Sequence, residues 1–300
     1  MEKPYILHMF TPTPNVSPFD VNMAYDAGYG AVMPYGNVAI DQIGGFTQDA
    51  IFSRGPKGVK RTGIFIGGRE IGLAADMLDA AKRAMAPPFE VSVFADPSGA
   101  FTTAAGMVAC VEKQLKKIHQ TDLSGKNVVV LGGTGPVGAA AAVLASQAGA
   151  SVRIASHTSF ARARITSEAL NARYGATTQP GDAGGVDTKL DMIKDADIIL
   201  GVAKAGFQVL SANELASAKR LLVVADVNAV APAGVEGIGM MDDGSPLAAG
   251  SGKAVAIGAL AIGNIKYQVQ RGLLEAMIAA EKPLYLDFRD AFAAARKLTA

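Results

Sequence analysis

The chain has 300 residues, half of them hydrophobic, with a formal net charge of +1 and one cysteine. The length exceeds one average domain, so two domains are expected, and the near-neutral charge leaves no basic footprint for nucleic acid. The lone Cys110 rules out an internal disulfide and offers no thiol cluster for zinc. The first residues lack a basic segment followed by an apolar one. The most apolar stretch, residues 254–265, is interrupted by glycine and too short to span a bilayer. These features agree with a soluble, cytoplasmic enzyme that has small-molecule substrates and no nucleic-acid or membrane partner; assembly as a homo-oligomer is a separate expectation that they do not fix.

In chain order, residues 5–10 and 63–66 have strand character. Residues 71–86 carry apolar side chains at helical spacing through Leu73, Met77, Leu78 and Ala81. Pro87-Pro88 ends that helix, because neither ring can continue it. A strand at 91–95 and a helix at 102–117 follow, joined by the turn Asp96-Pro97-Ser98-Gly99, and Cys110 reads as a buried thiol of that helix. Residues 122–126 form a polar hinge. Beyond it come strands at 127–131, 151–155, 198–202 and 221–225, with a surface loop at 179–185. A helix at 259–281 and a tail at 285–298 are available to return to the first domain. The expected fold is α/β: an N-terminal α/β domain (1–122), a Rossmann-like dinucleotide-binding domain (123–250), and C-terminal helices (251–300) that complete the first domain.

The most informative stretch is NVVVLGGTGPVG at 127–138. Gly133, Gly135 and Gly138 fall at GxGxxG spacing, which serves a tight turn, close approach of a pyrophosphate, and close helix–strand packing. That pattern alone is weak. Here an apolar strand precedes it, an Ala-rich helix follows, and a second strand completes a βαβ unit. Thr134, Pro136 and Val137 fill out the loop, and the helix amides behind them face the phosphates. An NAD-selective fold places Asp or Glu at the end of the second strand. This chain has Ser156, His157 and Thr158 there, with Arg162 and Arg164 behind. Hydroxyls and a guanidinium suit a 2′-phosphate, so NADP is expected to be preferred and NAD tolerated, with Arg164 read as solvated. Ala203, Lys204 and Asn228 lie on loops that follow later strands, beside the expected nicotinamide.

Other templates fail. His8, His119 and His157 are scattered and show no metal-binding spacing, so no metal site is expected. There is no GxSxG elbow. GSGK at 250–253 imitates a phosphate loop but is followed by Ala254 rather than Ser or Thr. Gly67-Gly68-Arg69 reads as an ordinary strand-to-helix turn.

Several strings outside the nucleotide loop are more specific: SPFDVN at 17–22, DAIFSR at 49–54, RTGIFIGG at 61–68, FADPSG at 94–99 with FTT at 101–103, DVNA at 226–229, GALAIGNIK at 258–266 and LDFRD at 286–290. Nearly end to end, the chain resembles the NAD(P)-dependent methylene-tetrahydromethanopterin dehydrogenases of methylotrophic bacteria, in the branch confined to the methanopterin pathway. The resemblance implies hydride transfer from methylene-tetrahydromethanopterin to the nicotinamide, giving the methenyl cation in one-carbon (formaldehyde) oxidation. No proton leaves in that step, so no general base is needed.

The resemblance also singles out Asp20 and Lys266 as the catalytic pair. Asp20 would accept from the pterin amino edge or stabilise the developing cation; otherwise it caps a helix at 21–27. Lys266 would orient the pterin; otherwise its stem lies along apolar surface with its amine in water. Phe19 and Tyr35 are candidate aromatic walls or plain core. Asp96, Ser98, Thr102 and Thr103 are candidate substrate contacts or cap and turn residues. Arg54 and Lys60 rank below these, as partners for the acidic tail of the carrier or as solvated side chains. Two other classes stay open: an NADP-sensing module without turnover, and a methylene-tetrahydrofolate or shikimate-type dehydrogenase.

Overall fold

The computed structural model describes residues 3–248 and 250–300. In chain order the elements are β1 (Ile6–Phe10), α1 (Pro18–Asp26), β2 (Ala31–Tyr35), α2 (Ile43–Phe52), α3 (Gly55–Val59), β3 (Thr62–Ile66), α4 (Ile71–Arg83), β4 (Ser92–Ala95) and α5 (Ala100–His119). They continue with β5 (Asn127–Leu131), α6 (Pro136–Gln147), β6 (Ser151–Ser156), α7 (Phe160–Tyr174), β7 (Thr178–Asp182), α8 (Val186–Ile193), β8 (Ile198–Gly201), α9 (Ala212–Leu215) and β9 (Val223–Asp226). The last are β10 (Asp243–Pro246), β11 (Val255–Ile257), α10 (Ala259–Ala279), β12 (Tyr285–Leu286) and α11 (Phe288–Thr299). Two compact units result: the chain up to Thr102 with Tyr267–Ala294, and Thr103–Lys266 with Ala295–Ala300.

The sheet of the first unit is parallel throughout, in the order β12-β4-β3-β1-β2. Central β3 is buried along its whole length, as a strand covered on both faces must be. Strand order reverses at β1, with β2 on one side and β3 on the other. In such a sheet a ligand crevice opens at the carboxyl ends of the strands beside that switch. For this unit that means the loops after Phe10 and Ile66.

The second unit has the order β10-β11-β9-β8-β5-β6-β7. All neighbours are parallel except β10 and β11. From β7 to β11 this is the dinucleotide-binding order, with its switch between β5 and β8. A core of Val129, Leu131, Ile199, Val224 and Ala256 fills one face. Cys110 is buried in α5, and burial pushes its thiol up to about 12, which leaves little reactive thiolate at neutral pH.

The unit boundaries differ from those expected. Residues 255–257 add a strand beside β9, and most of α5 joins the second unit. Tyr285–Leu286, in the tail expected to return to the first domain, pairs with β4 of its sheet. A second correction concerns residues 179–185. Most of the expected loop is strand β7, held by parallel pairing of Thr178–Asp182 with β6. Its sequence, TQPGD, has little strand propensity. Pro180 is tolerated because β7 is the outer strand of the sheet.

Candidate active site

At the switch point of the first sheet lies a cavity of about 410 Å³, walled by Thr11 and residues 13–18, by Asp20 and Phe65, and by Gly67, Gly68, Arg69 and Ser98. The loop after β1 is fixed by Asn37 N–H donating to Thr13 O and Val38 N–H donating to Thr11 O. A Cβ on Gly36 would sit 2.2 Å from Pro14 O, so only glycine allows this approach. Gly68, with φ +116°, turns the chain on the opposite wall. The Gly67-Gly68-Arg69 turn thus forms part of the cavity. Among its lining residues, Asp20 is the one carboxylate and Arg69 the one cation.

Asp20 does not cap α1. Ser17 does, its hydroxyl accepting from Phe19 N–H at 3.2 Å, with Pro18 in the first turn. Asp20 therefore sits inside the helix, 4% exposed, and its Oδ1 accepts from Gln270 Nε2 at 2.7 Å. A carboxylate held this deeply costs stability unless its charge is well paired. Gln270 is fully buried on α10 and was not singled out from sequence. The one hint is its spacing, one helical turn after Lys266. Lys266 is half-buried on the same helix. Its N-terminal stretch packs tightly on α5 at Gly106, where an added Cβ would lie 3.2 Å from both Ile262 O and Lys266 N.

The remaining pterin-side candidates separate. Asp96 is fully buried and caps α5: Oδ1 accepts from Phe101 N–H at 2.9 Å and Thr102 N–H at 3.2 Å, while Oδ2 accepts from Thr102 Oγ1 at 2.7 Å. Asp96 and Thr102 are thereby committed to the fold, and neither lines the cavity. Thr103 is half-buried on α5 and does not line the cavity either. Ser98 does line it, held at φ +55° with its hydroxyl donating to Gly68 O at 2.7 Å. Tyr35 belongs to an aromatic cluster with Phe10 and Phe46, its hydroxyl 3.1 Å from His8 Nδ1. Phe19 is 44% exposed. The aromatic wall of the cavity is instead Phe65. Arg54 is structural, donating to Pro4 O, Arg61 O and Thr62 Oγ1. Lys60 lines a separate groove with Lys3, Lys57 and Arg61, next to the amino end of β3.

The dinucleotide loop of the second unit fits a phosphate. Gly132, not Gly133, makes the tight turn, at φ +84°, and its missing Cβ lets Ala203 pass at 2.9 Å. Gly133 packs on Ile154, and Gly138 packs on Gly133 and Val202. Gly135 is different. Its φ of −82° suits any residue, yet a Cβ there would meet only Gly132 O, at 3.5 Å. It stands at the N-cap of α6 without a side-chain cap, ahead of amides that can bind an anion. Thr134, Pro136 and Val137 are half-buried around it.

At the end of β6, Ser156 Oγ accepts from Thr158 N–H and Ser159 N–H, both at 3.3 Å, and so shapes the loop. The His157 ring stacks on Phe207, with centroids 5.2 Å apart. Phe207 was not legible from sequence. Arg162 is exposed in the first turn of α7, whereas Arg164 pairs with Glu168. Lys204 is exposed. Asn228 is a loop tie: Oδ1 accepts from Gly206 N–H and Val230 N–H, and Nδ2 donates to Pro232 O. Its side chain therefore holds the loops after β8 and β9 together. Among the described residues, no three His, Cys, Asp or Glu side chains come together to hold a metal ion. No helix among them is long and apolar enough to cross a membrane.

Residues 18–98 match the family model of the methylene-tetrahydromethanopterin dehydrogenase N-terminal region. The chain is 47% identical, over 96% of its own length and 96% of the relative's, to the NAD(P)-dependent methylenetetrahydromethanopterin dehydrogenase of Methylorubrum extorquens. The chain belongs to this dehydrogenase family. The segment matched by the family model contains Asp20 and the Gly67–Arg69 wall of the cavity. A second relative from Methylorubrum extorquens, the bifunctional protein MdtA, is 29% identical over 93% of this chain and 94% of its own. In fold, the dehydrogenase resembles quinate dehydrogenase from Corynebacterium glutamicum, with a TM-score of 0.54 over 97% of this chain and 98% of that one at 14% identity.

Proposed function

We propose that this chain catalyses reversible hydride transfer from methylene-tetrahydromethanopterin to NAD(P), giving the methenyl carrier in one-carbon oxidation. The observation that carries the proposal is Asp20, a buried carboxylate opening onto the switch-point cavity of a chain with end-to-end family likeness. The pterin lies in that cavity. Its amino edge donates to Asp20, Phe65 and Ser98 bound it, and Lys266 orients it. The bound dinucleotide supplies the hydride acceptor at nicotinamide C4. The amides ahead of α6 hold its phosphates, with Gly135 leaving room for them.

In the assigned reaction the methylene carbon would give up a hydride, a proton with two electrons, to the bound dinucleotide, and the positive charge would pass to the carrier. The protein moves no proton in that step. Its task is alignment, an effect that reaches ~7–11 kcal/mol in favourable systems, together with a field suited to a migrating cation. A carboxylate steadies that cation, and a lysine ammonium keeps it from being held too tightly to reverse. NADP is the preferred dinucleotide, through Arg162 and the 156–158 loop, and NAD is tolerated. Cytoplasmic location and assembly as a homo-oligomer belong to the same proposal.

The test is purified protein with NADP and each reduced carrier in turn, followed by absorbance of the reduced nicotinamide. Turnover is expected with methylene-tetrahydromethanopterin and not with methylene-tetrahydrofolate. Turnover confined to the folate carrier would refute the assigned substrate.

A further inference from the structure

The end of β6 lacks the carboxylate of an NAD-selective fold, but the neighbouring strand supplies one. Ser156, the last residue of β6, is in register with Asp182, the last residue of β7. Paired strands lie about 4.8 Å apart, so this carboxylate starts one strand spacing from the position that ordinarily carries the acid. It also faces the right way. Asp182 Oδ1 accepts from Gly184 N–H at 2.9 Å. An ideal Cβ on Gly184 would lie 3.2 Å from that oxygen and 3.4 Å from His157 O, so carboxylate and 156–159 loop flank the same point. Ala183 N–H donates to Ser156 O at 3.0 Å, which pins the two strand ends together. Asp182 is half-buried, and a carboxylate has about four acceptor sites, so the bond to Gly184 leaves it capacity for a ligand.

We propose that Asp182 is the specificity-determining residue that keeps this enzyme open to NAD: it accepts from the adenosine ribose hydroxyls of NAD and opposes the 2′-phosphate of NADP. The inference rests on placing the dinucleotide in the second unit. On that basis the two cofactors are balanced by opposed charges. Arg162 draws the 2′-phosphate in and Asp182 holds it off. A unit charge roughly 6 Å from a dianion changes affinity about tenfold even at the dielectric of water.

The experiment is calorimetric titration of NADP and of NAD into the full-length protein, as wild type, Asp182→Asn and Arg162→Ala, with a thermal melt of each. The amide oxygen of Asn still accepts from Gly184 N–H, so the fold is expected to hold. Asp182→Asn should tighten NADP and weaken NAD, moving the ratio of their Kd values at least tenfold toward NADP. Arg162→Ala should move it the other way. An unchanged ratio in Asp182→Asn, or an equal loss for both cofactors with an unaltered melt, would overturn the role of Asp182. Wild type that binds neither dinucleotide would instead overturn the cofactor site itself.

Discussion

Gly135→Asp is expected to abolish binding of NAD and NADP alike while leaving the protein as stable as wild type, or more so. Glycine is not required here by the backbone, since φ is −82° and ψ is 169°. Nor is it required by packing, because the nearest atom to an added Cβ is Gly132 O at 3.5 Å. The position is an N-cap with no side-chain cap, where Asp is among the best residues and exceeds glycine by a few tenths of a kcal/mol. The same carboxylate would occupy the space of the pyrophosphate and repel it. We expect at least a hundredfold loss of affinity for both cofactors, since one charge-assisted hydrogen bond alone contributes roughly 1.5–3 kcal/mol. Titration beside a thermal melt checks this. Retained binding would remove α6 from the phosphate site. Gly138→Asp makes a contrast: its Cβ would lie 2.6 Å from Gly133 Cα, so binding and stability should fall together.

Asp20→Asn and Lys266→Ala are each expected to lower turnover by about 100- to 1,000-fold, the usual effect of removing one preorganised polar group, with NADP affinity unchanged. Stability separates function from architecture. If Asp20 were there for the fold, its neutralisation would lower the melting temperature. The amide of Asn keeps an oxygen for Gln270 Nε2, so a residue kept for catalysis predicts that Asp20→Asn melts close to the wild-type temperature while its rate falls. The size of the rate loss reports the role. An acceptor for the pterin amino edge is partly replaced by an amide oxygen, whereas a counter-charge to the methenyl cation is not. Full-rate turnover in the double variant would end the proposed pterin site.

What the sequence revealed depended on how local the signal was. The βαβ unit from Asn127 to Ser156 was legible because each apolar run is continuous and its glycines lie within a few residues of one another. Strand β7 was not. Its five residues, TQPGD, become a strand only through pairing with β6, and the same omission hid Asp182. The partnership of Asp20 with Gln270 spans 250 positions, and nothing near either residue announces it. Asp96 and Thr102 carried the right chemistry for a substrate contact. Their polar atoms turn instead to the first turn of α5, an outcome that residue type alone cannot distinguish from binding. Asn228 does both things that residue type cannot separate: it ties two loops together and lines a cavity beside Asp226.

The central claim is direct hydride transfer from the methylene carbon of the carrier to the nicotinamide. Its most direct test uses methylene-tetrahydromethanopterin deuterated at the methylene carbon, in ordinary water, with mass analysis of the reduced NADP. One deuterium per reduced nicotinamide is predicted, with none lost to solvent. Reduced NADP carrying hydrogen from water would contradict the account, because direct hydride transfer gives solvent hydrogen no route to the nicotinamide.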